Sequence, residues 1–173
     1  LSPHVLQHSY RTYLFALALA AIDGVRVDEE LGYVSCLLHD LTLEHPTPGR
    51  CFAVTGGERA ERFALDQGAT PERAATIAAA VCGHITAGAH EDLGDPAGFV
   101  AAGANLDVTG ARVSEADPAF VSAVLERHPR LQFKRHMLAA WAAEGRAMPA
   151  GRTRWLTTHA AFPVLIRTAP FSE

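Results

Sequence analysis

The chain has 173 residues, 49% of them hydrophobic and 20% charged, a length and balance that suit one globular domain with a sizeable apolar core and exclude an intrinsically disordered segment. Its formal net charge of -4 offers no basic face for nucleic acid or anionic lipid, so the expected partner is a small molecule. Three cysteines, Cys36, Cys51 and Cys82, match neither a CxxC metal pair nor a disulfide framework, which points to a reducing cytoplasm.

In chain order, the pattern opens at Leu1 on residues already entering a helix, as if the first element lacked residues upstream. Helical periodicity covers Val5 to Ile22, and the apolar run from Tyr13 to Ile22 is too short to span a bilayer, so no membrane association is expected. Asp23-Gly24 is a turn, and a second helix runs from Asp28 to His39. Pro46, Pro48 and Gly49 mark a loop too short to link two domains. Thr55 opens the next helix, with Ala60, Phe63 and Ala64 on one face and Gly68 as its stop. Thr70-Pro71-Glu72 sets a capping hydroxyl before a proline at the first helical position, starting a helix that continues to His84. Asp95-Pro96 and Asp117-Pro118 repeat that start signal for helices to about Gly110 and to His128. Leu131 to Glu144 follows, closed by Gly145, then a last helix over Thr153 to Ala161 and an extended tail from Pro163 to Glu173. No stretch alternates between hairpin turns as a strand would. The expected fold is all-α, a single bundle of about six to eight helices.

Chemistry concentrates at a few positions. The helix from Asp28 presents Val34, Cys36, Leu37 and Leu38 and then ends in His39-Asp40, two metal-capable groups directly after an apolar run. Helix neighbours point about 100° apart, so both reach one ion only near a helix end or around a wide coordination sphere. His8 lies three residues before Arg11, on the same helix face. Arg11 either orients a ligand carboxylate, meets a substrate or makes a surface or intrahelical salt bridge. Asp107 stands among small and apolar residues in Gly103-Ala-Asn-Leu-Asp-Val-Thr-Gly110, where burying it unpaired would cost several kcal/mol, so it needs a cation or a set of donors. Taken singly, His8 also reads as a half-buried polar residue, His39-Asp40 as a helix terminator and Asp107 as a turn residue. Their order, a His, then a His-Asp doublet, then a late Asp on a buried helix, favours a shared metal.

That order resembles the HD superfamily of metal-dependent hydrolases, and within it the group similar to fungal cyanamide hydratase. His8-Ser9-Tyr10-Arg11-Thr12-Tyr13 is similar to that group's H-S-x-R-x-Y, and Leu37-Leu38-His39-Asp40-Leu41 carries the doublet. Phe52-Ala-Val-Thr-Gly-Gly-Glu-Arg-Ala60 resembles F-E-x-x-G-A-x-x-A, and Gly83-His84-Ile85-Thr86 resembles an H-T segment near the family's pocket. Ala102-Gly-Ala-Asn-Leu-Asp-Val-Thr-Gly110 is similar to G-A-x-x-D-V-x-G, and Pro129-Arg130 with Phe133-Lys134 to P-R-x-x-F-K. The resemblance reaches about Gly151, so residues 1–151 are expected to be the HD metal-binding domain and 152–173 a C-terminal helix or tail packed on it. Thr42 stands where the family often has Gly, and the helix that usually precedes the first His is largely absent.

The resemblance implies one divalent metal held by His8, His39, Asp40 and Asp107. Zn2+ is the expected ion, with Fe2+, Mn2+ or Ni2+ as alternatives; one or two open positions would let a water bind and become acidic near neutral pH. His84 is expected in the pocket as a proton shuttle or substrate-orienting donor, with helix-end capping as its structural alternative. Arg11 joins it as the second catalytic candidate, and Thr86 and His90 as substrate-binding ones, His90 being alternatively a loop residue or a ligand in two-metal relatives. The implied activity is a hydratase or hydrolase, formally a hydrolase or lyase, acting on a small nitrile- or cyanamide-like C–N substrate. A phosphohydrolase of nucleotides or phosphate monoesters, a di-iron oxygenase and a non-catalytic metal-binding module are the alternatives, and a homo-oligomer is compatible with all of them.

Overall fold

The computed structural model describes residues 1–173 and contains nine α-helices and no strand, one helix more than the upper end of the expected range. They are α1 (Pro3–Asp23), α2 (Glu29–Leu38), α3 (Phe52–Asp66), α4 (Pro71–Gly83), α5 (Pro96–Thr109), α6 (Pro118–Arg127), α7 (Phe133–Ala147), α8 (Arg152–His159) and α9 (Phe162–Thr168). No helix is long and apolar enough to cross a membrane.

The capping signals act as their chemistry requires. Thr70 accepts a hydrogen bond from the Arg73 amide, Asp95 from the amides of Ala97 and Gly98, and Asp117 from Ala119, each just ahead of a proline that has no amide hydrogen to leave unpaired. Helix α3 starts three residues before Thr55. Its first amide, Phe52 N–H, donates 2.9 Å to the buried Glu144 carboxylate on α7, so a tertiary partner replaces the local cap. The residues after Pro163 are not an extended tail: Ala161, in the left-handed region at φ 49°, breaks α8 from α9. Ile166, Ala169 and Phe171 are then buried, Ile166 against Phe133 and Trp141 and the other two in the cluster of Phe15 and Phe99.

Helix α5 is the centre of the molecule. Phe99, Val100, Ala101, Ala102, Leu106 and Val108 point in all directions around it and all are buried, which is what a helix apolar on every side requires. One core lies between α1, α2, α5 and α6 around Phe15, Leu19, Cys36 and Phe99. A second lies under α7 and α9 around Phe52, Val108, Phe133 and Trp141, and a third joins α2, α3 and α4 around Leu31, Ala60 and Ile77.

Gly103 fixes how closely α1 and α5 approach. A Cβ there would stand 2.0 Å from the Thr12 carbonyl oxygen and 2.9 Å from the Ala16 Cβ. The helices run antiparallel, so one turn beyond this contact Asp107 of α5 comes to face His8 of α1. In an ordinary helix interior Gly→Ala stabilises by about 0.8–1.0 kcal/mol. Here Gly103→Ala is expected to destabilise by about 1–3 kcal/mol, the usual cost of overpacking, measured by urea unfolding; a stabilised variant would show that the crossing can open freely.

Candidate metal centre

Two helix ends and the body of a third helix deliver the site. His8 sits on α1, His39 is the last turn of α2, Asp40 opens the turn after it, and His84 caps α4. Because His39 and Asp40 straddle the end of α2, where the backbone turns through hydrogen bonds from Leu41 N–H to Leu38 and Leu43 N–H to Asp40, adjacent side chains converge as they would not within a helix. The Thr42 hydroxyl pins this turn to α3 by donating 2.7 Å to the Phe52 carbonyl.

His8, His39 and Asp40 form a buried group able to hold a metal ion. His8 Nε2 and His39 Nε2 are 3.2 Å apart, and Asp40 Oδ2 stands 3.6 Å from the first and 3.4 Å from the second. Each imidazole's other nitrogen is committed: His39 Nδ1 donates 2.7 Å to the Cys36 carbonyl, and His8 Nδ1 donates 2.6 Å to Asp107 Oδ2. Both Nε2 atoms therefore turn lone pairs toward each other and toward a carboxylate, an arrangement of three electron-pair donors that calls for a cation at their centre. The spacings suit one, since donors about 2.0–2.1 Å from a tetrahedral ion lie roughly 3.3 Å from one another. Burial opposes ionisation of Asp40, but positive charge among the neighbouring imidazoles, His39 foremost, outweighs it and holds the carboxyl well below the ordinary range; a cation in place of that proton acts in the same sense, so Asp40 remains an anionic donor.

Asp107 occupies a different place from the fourth-ligand position expected of it. It lies behind His8, and its carboxylate accepts four hydrogen bonds: Oδ1 from Arg11 Nε and Arg130 Nη1, each at 2.8 Å, and Oδ2 from Arg11 Nη2 at 2.8 Å and His8 Nδ1 at 2.6 Å. These use all of the roughly four lone-pair positions of a carboxylate. Burial would raise its pKa, yet the Arg11 charge and the His8 hydrogen bond dominate and hold it low. Asp107 thus sets the tautomer and direction of His8, the usual duty of a carboxylate behind a metal-ligating histidine.

Arg11 is also placed differently from a substrate-touching residue. It is fully buried, grips Asp107 with two parallel hydrogen bonds, and spends its remaining Nη1 on the carbonyls of His128 and Pro129 at 3.1 Å. Of its open alternatives, orienting a carboxylate is the one the geometry accommodates; it is a positioning residue. Arg130, which carries part of the family resemblance without a role attached, is its counterpart, and both guanidinium groups stack on Phe133 at 5.2 and 5.1 Å. Replacing Arg11 with Met leaves a buried carboxylate half compensated, and is expected to lower unfolding free energy by about 3–5 kcal/mol. Denaturant unfolding checks this, and a loss within about 0.5 kcal/mol, typical of a surface site, would contradict it.

The triad opens on a cavity of about 380 Å³ whose walls include His84, Thr86 and His90, but not Arg11 or Asp107. His84 Nδ1 donates 2.6 Å to the Val81 carbonyl, while Nε2 stands 3.7 Å from Asp40 Oδ1. Burial, then the proximity of His39, pushes its pKa down to about 3, so the ring is neutral near pH 7 and its Nε2 is an acceptor. Thr86 takes a hydrogen bond from Arg152 at 3.1 Å. Trp155 and Leu156 of α8, and Phe162 and Leu165 of α9, complete the mouth. None of these four is marked by local sequence pattern as a site residue; only their aromatic and aliphatic character in an otherwise polar segment hints at a buried face. Compared with known proteins, the chain matches no family model, and no curated protein matches its sequence.

Proposed function

We propose that the protein is a metal-dependent hydratase or hydrolase that adds water to a small C–N substrate of the nitrile or cyanamide kind, with zinc as the first choice of ion and ferrous iron as the second. The observation that carries this reading is the convergence of His8 Nε2, His39 Nε2 and Asp40 Oδ2 on one point at the edge of a half-open cavity. Two imidazoles and one carboxylate are a ligand set of catalytic zinc and of non-haem iron, with positions left for water and substrate. When bound, the ion would supply Lewis acidity to both. The ordered motifs that resemble the HD superfamily, cyanamide hydratase-like group, support the same reading.

The protein's own groups account for the rest. The neutral Nε2 of His84 takes a proton from the attacking water and returns it to the nitrogen on which charge develops, so the ring enters as a base and acts as an acid only afterwards. Thr86 and His90, which also line the cavity, orient the substrate. Water adds across the C≡N bond to give an imidic acid or isourea, whose hydroxyl proton then moves to nitrogen to leave the amide or urea. No lysine or arginine lines the cavity, although Arg152 adjoins it through Thr86; phosphate esters ordinarily require several such cations. The test is turnover of a panel holding aliphatic nitriles, cyanamide, p-nitrophenyl phosphate and nucleotides by zinc- and iron-loaded protein. Ammonia-free conversion of a nitrile to its amide is the expected result, and phosphate release alone would overturn it.

A further inference from the structure

We infer that the substrate carries an apolar body, an alkyl or aryl chain attached to its uncharged head group, that fills the cavity beside the metal centre. The head-group end of this inference rests on the function proposed above; the apolar end rests on the cavity alone.

Size comes first. A space of about 380 Å³ equals roughly a dozen waters at the 30 Å³ each occupies in the liquid, whereas a bare nitrile or cyanamide has only a few heavy atoms and would leave most of it filled with solvent. The walls do not suit solvent. Leu43, Phe52, Val108, Met137, Trp141 and Phe162 line the interior, and a water among such side chains lacks the two to four polar partners that hold buried water. The polar groups of the metal centre are gathered together instead: His8, His39, Asp40 and His84 follow one another at approaches of 3.2 to 3.7 Å, and Thr86, His90, Asn105 and Thr109 are the other polar side chains among fifteen hydrophobic lining residues.

A ligand complementary to this distribution has one compact polar head and a hydrocarbon body. A charged headgroup is disfavoured, because the cavity walls hold no lysine or arginine to replace the water it would lose. At the mouth, Trp155 remains 48% exposed and Leu165 43% exposed, apolar surface that the far end of such a chain would cover.

The chain's two tryptophans, Trp141 and Trp155, both line the cavity, so intrinsic fluorescence reports occupancy without a label. Linear nitriles from acetonitrile to octanenitrile, cyanamide and octyl phosphate are titrated into zinc-loaded and metal-free protein. Affinity is expected to rise about fourfold per methylene until the cavity is full, in both forms of the protein, with octyl phosphate at least about tenfold weaker than octanenitrile. Ala104→Phe, which adds a ring to the cavity wall, is expected to abolish the rise at the long end while zinc stoichiometry stays unchanged. Equal affinity along the nitrile series, or tighter binding of cyanamide or octyl phosphate than of octanenitrile, would overturn the inference. A chain-length slope in protein that retains no zinc would uphold it and sink the metal reading instead; retained zinc with a flat series would do the reverse.

Discussion

Asp40→Ala is expected to abolish metal retention and, on the proposed function, activity with it. Asp40 supplies the one anionic donor of the buried group, and without it two neutral imidazoles 3.2 Å apart face a divalent ion with no charge to offset it. Loss of an outer-shell partner commonly weakens a metal site about 10–100-fold, and loss of a direct anionic donor exceeds that. Elemental analysis after dialysis should find less than about a tenth of the wild-type metal, and turnover should fall in proportion. The alternative role for Asp40, a helix terminator after α2, predicts lowered stability with metal content unchanged, and full occupancy in the variant would remove Asp40 from the ligand set.

His84→Ala separates proton transfer from metal binding. The ring is held in place by its Nδ1–H to Val81 and meets the metal group at the second oxygen of Asp40, at 3.7 Å, and edge-on against the His39 ring, 5.0 Å between centroids. Its removal therefore leaves the three donors of the triad and the carboxylate behind His8 in place. Turnover should drop by about two to four orders of magnitude, the usual worth of general acid-base assistance, with metal content intact. An added imidazole should restore part of the rate by entering the space the ring vacated. Loss of metal would make His84 a ligand, and unchanged turnover with a large fall in thermal stability would make it a helix cap alone.

Local chemistry locates much of this molecule from sequence. The acid-proline and threonine-proline starts of α4, α5 and α6 are visible because capping needs only neighbours within a few residues. Misplacements arise where a distant residue takes over. Thr55 reads as the opening of α3, but Phe52 N–H is satisfied by Glu144, ninety-two positions away. Gly145 reads as a stop, yet α7 runs through it to Ala147, since a single glycine costs a helix only about 1 kcal/mol.

The site divides in the same way. The His-Asp doublet declares itself by standing at the end of an apolar run, and His8, His39 and Asp40 come together as their order suggests. Asp107 is legible as a buried carboxylate in need of partners, but sequence alone does not choose between a cation and a set of donors. Two arginines supply the answer, Arg11 from α1 and Arg130 from the segment before α7, and neither distance nor direction between them is written in local periodicity. The mouth of the cavity is the least legible part. Leu156 and Phe162 belong to a tail with no recognisable counterpart, and only the left-handed turn at Ala161 folds α9 back beside α8.

Metal stoichiometry tests the central claim most directly. Protein stripped with a chelator, reloaded with zinc, dialysed and analysed by elemental mass spectrometry should retain one equivalent per chain, because His8, His39 and Asp40 form one group and Asp107 is fully engaged with Arg11, Arg130 and His8. Two equivalents would bring His84 and His90 in as ligands of a second ion, and no retained metal would mean that a proton alone bridges the two Nε2 atoms.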